Sequence, residues 1–243
     1  AHIPYGPLPP ATILSYSLQI VAFLEQQGCE VIVIACNSAS AAALQPLRIQ
    51  KPHVDFVGME PAIKPAAEHS RSGVVVVLAT ANTLEGELFQ NTSQKHAAHV
   101  RVLAQPCPGL VEQIERGETN TPATQDLLRI FLEQPLLAGA DTCVLGCTHY
   151  AFVRPLLESL LPEQSQIIDP AAAIARRVEG LLEKRHMAIA TPSDSGAGTV
   201  KPAPQHQIWT TGPVESFVAT TSKLLQEDIQ ARALHWTPQG LQP

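Results

Sequence analysis

Apolar positions follow two rhythms along this chain. Ile13, Ser17, Ile20, Val21 and Leu24 are spaced for one partly apolar helix face that stops near Gly28. Val31-Ile32-Val33-Ile34 is a β-branched run followed by an alanine-rich stretch over 39–44, which predicts a strand and then a helix. Residues 56–58 form a weaker strand candidate, with a helix expected over 62–69. The clearest strand lies at 73–79, because the unbroken aliphatic run Val74-Val75-Val76-Val77-Leu78 needs cover on both faces. Further strands are expected at 100–104 and 142–146, and helices at 108–116 and 154–161. Thr121-Pro122 can cap and open a helix running through Leu127, Leu128, Ile130 and Phe131 toward Pro135. Asp169-Pro170 reads as the N-cap and first position of a helix carrying Ile174, Val178, Leu181 and Leu182. Residues 191–207, rich in Pro, Gly, Ser and Thr, read as a surface loop, with a last strand at 208–211 and a last helix at 214–225. Alternating β and α segments of this kind predict an α/β fold with parallel sheets.

Composition narrows the function. A chain of 243 residues makes one large domain or two small ones. With 45% hydrophobic and 16% charged residues it can bury enough apolar surface to fold, and with only 5% aromatic residues its core must be aliphatic. Lys and Arg number 16 against 22 Asp and Glu, a net charge of −6, which argues against nucleic acid as the main partner. No apolar run approaches the ~20 residues of a membrane span, and no basic-then-apolar leader opens the chain, so no membrane partner and a cytoplasmic location are expected. The five cysteines are odd in number and scattered, which reads as free thiols in a reducing compartment.

Two of those cysteines share a setting. Val33-Ile34-Ala35-Cys36-Asn37-Ser38 and Val144-Leu145-Gly146-Cys147-Thr148-His149 follow one plan: aliphatic strand, small residue, Cys, two polar residues. In a doubly wound sheet, ligands gather at the carboxyl ends of strands. A helix start after each Cys would favour the thiolate and lower its pKa. The amides that follow, with the side chains of Asn37, Ser38, Thr148 and His149, would suit a carboxylate. A single cysteine at a strand end is ordinarily a buried structural thiol; two with matching flanks point to function. Cys29, Cys107 and Cys143 lack this setting and read as core or incidental. On an extended strand Cys143 and Cys147 would stand ~13 Å apart, too far to share a zinc ion, so no metal is assigned. His96, His99 and His206 show no ligand spacing and read as surface residues. No G-x-G-x-x-G, Walker or pyridoxal-type motif is recognisable, so no cofactor is expected.

At these residues the sequence resembles the cofactor-independent aspartate/glutamate racemase family. The segments that carry the resemblance occur in family order: Ile3-Pro4-Tyr5-Gly6, Ala35-Cys36-Asn37-Ser38-Ala39, Glu60-Pro61, Ala79-Thr80-Ala81-Asn82-Thr83, Cys107-Pro108, Gly146-Cys147-Thr148-His149-Tyr150, and Thr211-Gly212 ahead of Glu215 and Phe217. The resemblance implies two pseudosymmetric Rossmann-like (flavodoxin-like) α/β domains with the active site at their interface. The first would comprise residues 1–69 plus 170–243 and the second 70–169. It implies racemisation of glutamate, supplying D-glutamate for peptidoglycan, with Cys36 and Cys147 as the acid/base thiols and His149 assisting. Tyr5, Gly6, Asn37, Ser38, Thr80, Thr83, Thr148 and His149 would bind or surround the substrate. Glu115 matches a carboxylate near the second thiol. A homodimer is a further expectation.

The sequence departs from the family pattern in places. Ser38 stands where the family usually has Thr, keeping the hydroxyl. Leu84-Glu85-Gly86 follows Thr83 where a Ser is usual, and the loop at 191–207 is longer than typical. The family's leading strand and Asp-Ser-Gly-x-Gly-Gly segment are not in this chain. The expectation is therefore a fragment or a truncated protein, lacking a carboxylate that would assist Cys36 and showing little racemisation by itself. Competing readings are an aspartate-type racemase, which His149 disfavours because that group carries an acidic residue there, and a non-catalytic binding protein retaining the fold. A Cys-His hydrolase leaves the second thiol unexplained.

Overall fold

A computed structural model describes residues 2–97, 99–185 and 206–243. In chain order, α1 (Pro10–Gln26) leads to β1 (Val31–Ile34), α2 (Asn37–Gln50), β2 (Asp55–Gly58) and α3 (Ile63–His69). Next come β3 (Val74–Ala79), α4 (Ala81–Glu85), α5 (Glu87–His96), β4 (Arg101–Pro106), α6 (Leu110–Glu115) and α7 (Pro122–Leu137). After β5 (Thr142–Leu145) a 3-10 turn (Thr148–Val153) runs into α8 (Arg154–Leu160), then β6 (Gln166–Ile168) and α9 (Ala171–Lys184). The chain closes with β7 (Trp209–Thr210), α10 (Val214–Leu225), β8 (Arg232–Ala233), β9 (His235–Thr237) and β10 (Gly240–Gln242).

The aliphatic run of β3 lies where its composition requires. It sits inside a four-stranded parallel sheet of order β4-β3-β5-β6. Its side chains alternate between two cores. Val76 and Leu78 pack with Leu110, Ile114, Leu128 and Tyr150 on one face. Val75 and Val77 pack with Ile63, Ala66 and Phe89 on the other. Each such side chain is fully buried, a gain of roughly 1.5–3 kcal/mol apiece over exposure. A second, smaller sheet pairs β1 with β2 in parallel, and α1 and α2 cover it through Val21, Leu44 and Leu47. Among the described residues β1 has no strand on its other flank. There Val33 is 39% exposed, and a groove of about 640 Å³ runs from it to Ala35, Thr148 and the α9 residues Ile174, Val178 and Leu182.

Several expectations shift. The helix over 108–116 begins only at Leu110, because Gly109 takes a left-handed backbone (φ 82°). Pro135 does not end α7 but lies inside it. Pro170, not Asp169, is the N-cap of α9, and the helix starts one residue late; Asp169 accepts from the Ala171 N–H at 2.9 Å from the position before the cap. The strand at 208–211 is not the last. It shortens to β7, which pairs with β8, and a β9–β10 hairpin follows, packing Leu234 and Leu241 on Phe23 of α1. The sequence reading left α4, α5 and β6 unassigned. Of the loop at 191–207, residues 191–205 lie outside the described residues.

The turn that feeds β3 is tied to the start of β5 by one carboxylate. Asp141 accepts from Ser70 Oγ, the Arg71 N–H and the Ser72 N–H at 2.7 Å each, and from Thr142 Oγ1 at 3.0 Å. Burial opposes its charge, but these donors outweigh it and hold the carboxyl down at about 2. A depressed carboxyl pKa stabilises the fold above its unfolded value, and that contribution is lost as pH falls toward 2. Asp141→Asn should therefore lower Tm by roughly 3–6 °C at pH 7. The gap from the parent protein should narrow as melts are repeated from pH 4 down to pH 2. A gap that does not change with pH would show that geometry rather than charge matters at this position.

Candidate active site

Both paired cysteines end a parallel strand, and their backbones are nearly superimposable in angle. Cys36 has φ −144° and ψ 124°, and Cys147 has φ −143° and ψ 134°. Each is the cap of the helical turn that follows. At β5 the approach is close: Gly146 donates its N–H to the Leu78 carbonyl at 2.7 Å, and a β-carbon there would stand 2.8 Å from Ala79 Cβ. Only glycine fits before Cys147. At β1 the strand end is fixed by buried Ser40, which donates to the Ile34 carbonyl and accepts the Met59 N–H.

The two strand ends meet. Thr148 Oγ1 donates to the Ala35 carbonyl at 3.1 Å, so the residue after one cysteine holds the residue before the other. A second seam is made by hydroxyls: Ser38 Oγ lies 2.8 Å from Thr80 Oγ1 and 3.3 Å from Thr83 Oγ1, and the two threonines are 3.0 Å apart. Thr80 also caps α4. A third is the Tyr5–Leu8 turn, whose carbonyls accept from Asn82 Nδ2. Gly6 in that turn packs on Thr80, where a β-carbon would stand 3.2 Å from the threonine side chain. The ten residues singled out in the sequence thus gather along one seam, with Glu115 joining them through His149.

The thiols differ electrically. The sequence predicted a lowered pKa at Cys36, and the structure corrects this. Burial pushes the thiol up, and the nearby Cys147 charge adds to the rise, against the Ala39 N–H (3.4 Å to Sγ) and Ser38, which pull it down. The helix start is present, but desolvation outweighs it. Beside Cys147 stands a chain of partners: Sγ lies 3.7 Å from His149 Nδ1, and His149 Nε2 lies 2.6 Å from Glu115 Oε1. Burial works against a charge on the imidazole, yet its bonds to Cys147 and Glu115 win and raise its pKa to about 9. At neutral pH His149 is therefore an imidazolium donating in both directions. Tyr5 borders Cys36 as well: burial first, then the thiol's charge, raises its phenol.

Asn37 is 2% exposed, and neither end of its amide has a partner among the described residues. A buried amide in that condition costs stability unless something bonds it. The other three cysteines fit the reading of core or incidental thiols. Cys143 is buried in the larger core, its thiol pushed up to about 12, and Cys107 is buried with its thiol pushed further still. Cys29 is half-buried. Sequence reasoning missed Ser40 and Asn82. A serine in an alanine-rich helix start was a faint signal for the first, and the second had none beyond its place between two threonines.

If Glu115 sustains the charge on His149, Glu115→Gln should bring the histidine's pKa down from about 9 toward 6.5. A pH titration of the His149 ring proton by NMR reads this directly. The same pairing stabilises the fold fully below 6.5 and fades as pH rises through about 9, so the melting difference between the two proteins should close in that range. An unmoved titration midpoint would show that Cys147 alone holds the charge.

Comparison with known proteins bears on the whole seam. The chain is 44% identical over 229 residues to the glutamate racemase of Ectopseudomonas mendocina, covering 94% of this chain and 83% of that one. It is 41% identical over 235 residues to the glutamate racemase of Pseudomonas putida KT2440, covering 96% and 85%. Among solved structures it is similar to glutamate racemase isoform RacE1 from Bacillus anthracis (TM-score 0.81, 25% identity, 96% and 84% covered). It is also similar to Escherichia coli glutamate racemase in complex with L-glutamate and an activator (TM-score 0.78, 28% identity, 96% and 84% covered). The family model for Asp/Glu/Hydantoin racemase matches residues 3–178, and with the two capping cysteines inside that span the chain belongs to the Asp/Glu/Hydantoin racemase family.

Proposed function

We propose that the protein is a glutamate racemase that interconverts L- and D-glutamate by moving the α-proton between Cys36 and Cys147. The observation that carries this reading is the pair of cysteines capping their strands in one backbone conformation, with the strand ends joined by the Thr148–Ala35 hydrogen bond. High identity to glutamate racemases over most of the chain supports the substrate.

In this mechanism one thiolate takes the proton from one face of the α-carbon while the opposite thiol delivers another, with sulfurs about 7–9 Å apart across the substrate. The intermediate's charge moves onto the α-carboxylate, so donors aimed at that group lower the barrier. Asn37, which has unspent hydrogen-bonding capacity, and the hydroxyls of Ser38, Thr80 and Thr83 are the groups we assign to the substrate's polar ends. Thr148 is assigned there too, although its hydroxyl is engaged with Ala35. Tyr5 and Gly6 form the wall beside Cys36. Imidazolium His149, held by Glu115, donates to Cys147 Sγ and steadies the charge left there when the Cys147 thiol gives up its proton. No cofactor enters this scheme. The reading includes the division into domains 1–69 with 170–243 and 70–169, supported by a four-stranded sheet drawn wholly from between Val74 and Ile168. It includes a cytoplasmic role in supplying D-glutamate for peptidoglycan. No helix among the described residues is long and apolar enough to cross a membrane.

Exchange of the glutamate α-proton in deuterated water, followed by NMR from either enantiomer, tests the proposal. Cys36→Ser and Cys147→Ser should each lower exchange of at least one enantiomer by more than ~10²-fold, the scale of a lost general acid or base. Exchange of aspartate in place of glutamate would move the chain to the sister activity. Binding of glutamate without exchange in the parent protein would leave a binding protein.

A further inference from the structure

We propose that Asn82 is a positioning residue, a latch that holds the Tyr5–Leu8 turn beside Cys36 and sets how readily that thiol is reached. The substrate part of this inference rests on the function proposed above; the latch itself rests on geometry alone. Asn82 Nδ2 donates to the Leu8 carbonyl at 2.7 Å and to the Tyr5 carbonyl at 3.2 Å. These carbonyls bracket a turn closed by the Leu8 N–H on Tyr5 O at 3.0 Å. One amide nitrogen with two hydrogens reaches both at once, which neither a hydroxyl nor a carboxylate does.

The latch sits where it has leverage. Asn82 lies in the first turn of α4, between the two threonines that bond Ser38. Residues 80–83 therefore grip the other half of the molecule on two sides of Cys36: Ser38 on the helix that follows it, and the turn that carries Tyr5. Gly6 leaves no gap in that contact, since a β-carbon would stand 3.2 Å from Thr80. Away from Asn82, rings stand beside the turn: Tyr5 lies 6.3 Å from Tyr16, and Tyr16 packs on His2 at 4.4 Å and Trp236 at 5.1 Å. Ring contacts are only weakly directional, so among the described residues Asn82 is the one side chain whose hydrogen bonds fix the place of this turn.

Two variants of the full chain, Asn82→Ala and Asn82→Asp, test the assignment. The first deletes the donors; the second keeps the shape and sets a carboxylate against two carbonyls. The rate of iodoacetamide modification at Cys36 is followed by peptide mass spectrometry, with half-buried Cys29 as the internal reference. Both variants should raise the Cys36-to-Cys29 labelling ratio about tenfold, the scale of two lost neutral hydrogen bonds, with melting temperatures close to the parent. In glutamate exchange KM should rise about tenfold with kcat within about threefold. An unchanged labelling ratio overturns the latch. Equal acceleration at both cysteines shows loss of fold and overturns it too, as does a fall in kcat at constant KM. A raised ratio in proteins that, like the parent, exchange no glutamate upholds the latch and overturns the proposed function instead.

Discussion

Burial works against a thiol that must give up its proton. That conflict governs the arrangement around Cys36, where removal from water raises the cost of the thiolate and only the Ala39 N–H and Ser38 oppose it. A racemase reading needs the dry setting nonetheless, because hydrogen bonds and charges act on a carbanion far more strongly when water is excluded. The same residues that exclude water are therefore the ones that must supply donors. Their identity follows: small hydroxyl and amide side chains that pack closely and still have hydrogens to give.

The two thiols meet that constraint differently although their backbones match. Cys147 has an imidazolium beside it, sustained by a carboxylate from α6, whereas Cys36 faces a phenol and the first turn of α2. Charge support on one side and dipolar support on the other means that, in the proposed mechanism, the two proton transfers would have unequal barriers. Matching strand ends are thus a framework on which unlike chemistry is hung.

What the sequence disclosed followed from how local each signal is. The run at Val74 to Leu78 could only be a strand covered on both faces, and Thr121-Pro122 carries its own cap. The matching strand ends were visible because the cysteine, its strand and the polar residues after it are contiguous. By contrast β6, β8, β9 and β10 are two or three residues long, too short for alternation to register, and they exist because neighbours offer an edge. The Glu115–His149 bond spans distant segments, and only resemblance hinted at it. The sign of the Cys36 shift was misread for the same reason. A helix start is legible in sequence, while the burial that outweighs it is a sum over residues from both halves of the chain.

The composition of the seam carries a last consequence. Within each half, stability comes from aliphatic packing: Val, Leu and Ile at nearly zero exposure around β3, and Val21, Leu44, Leu47 and Phe56 around β1. At the seam beside the cysteines the described hydrogen bonds are hydroxyl to hydroxyl, hydroxyl to carbonyl and amide to carbonyl, whereas away from it Ile63 and Ala66 of α3 and Leu224 of α10 pack on the cores of the larger sheet. Neutral hydrogen bonds exchange readily for bonds to water at a net cost of about 1 kcal/mol each, whereas parting an aliphatic core exposes area at ~25 cal/mol per Å² with nothing gained in return. The seam joined by Thr148 and Ala35 is therefore softer than the aliphatic cores on either side of it. On the proposed function, a small polar substrate would enter there without disturbing either core, exchanging its own polar groups for the hydrogen bonds it displaces.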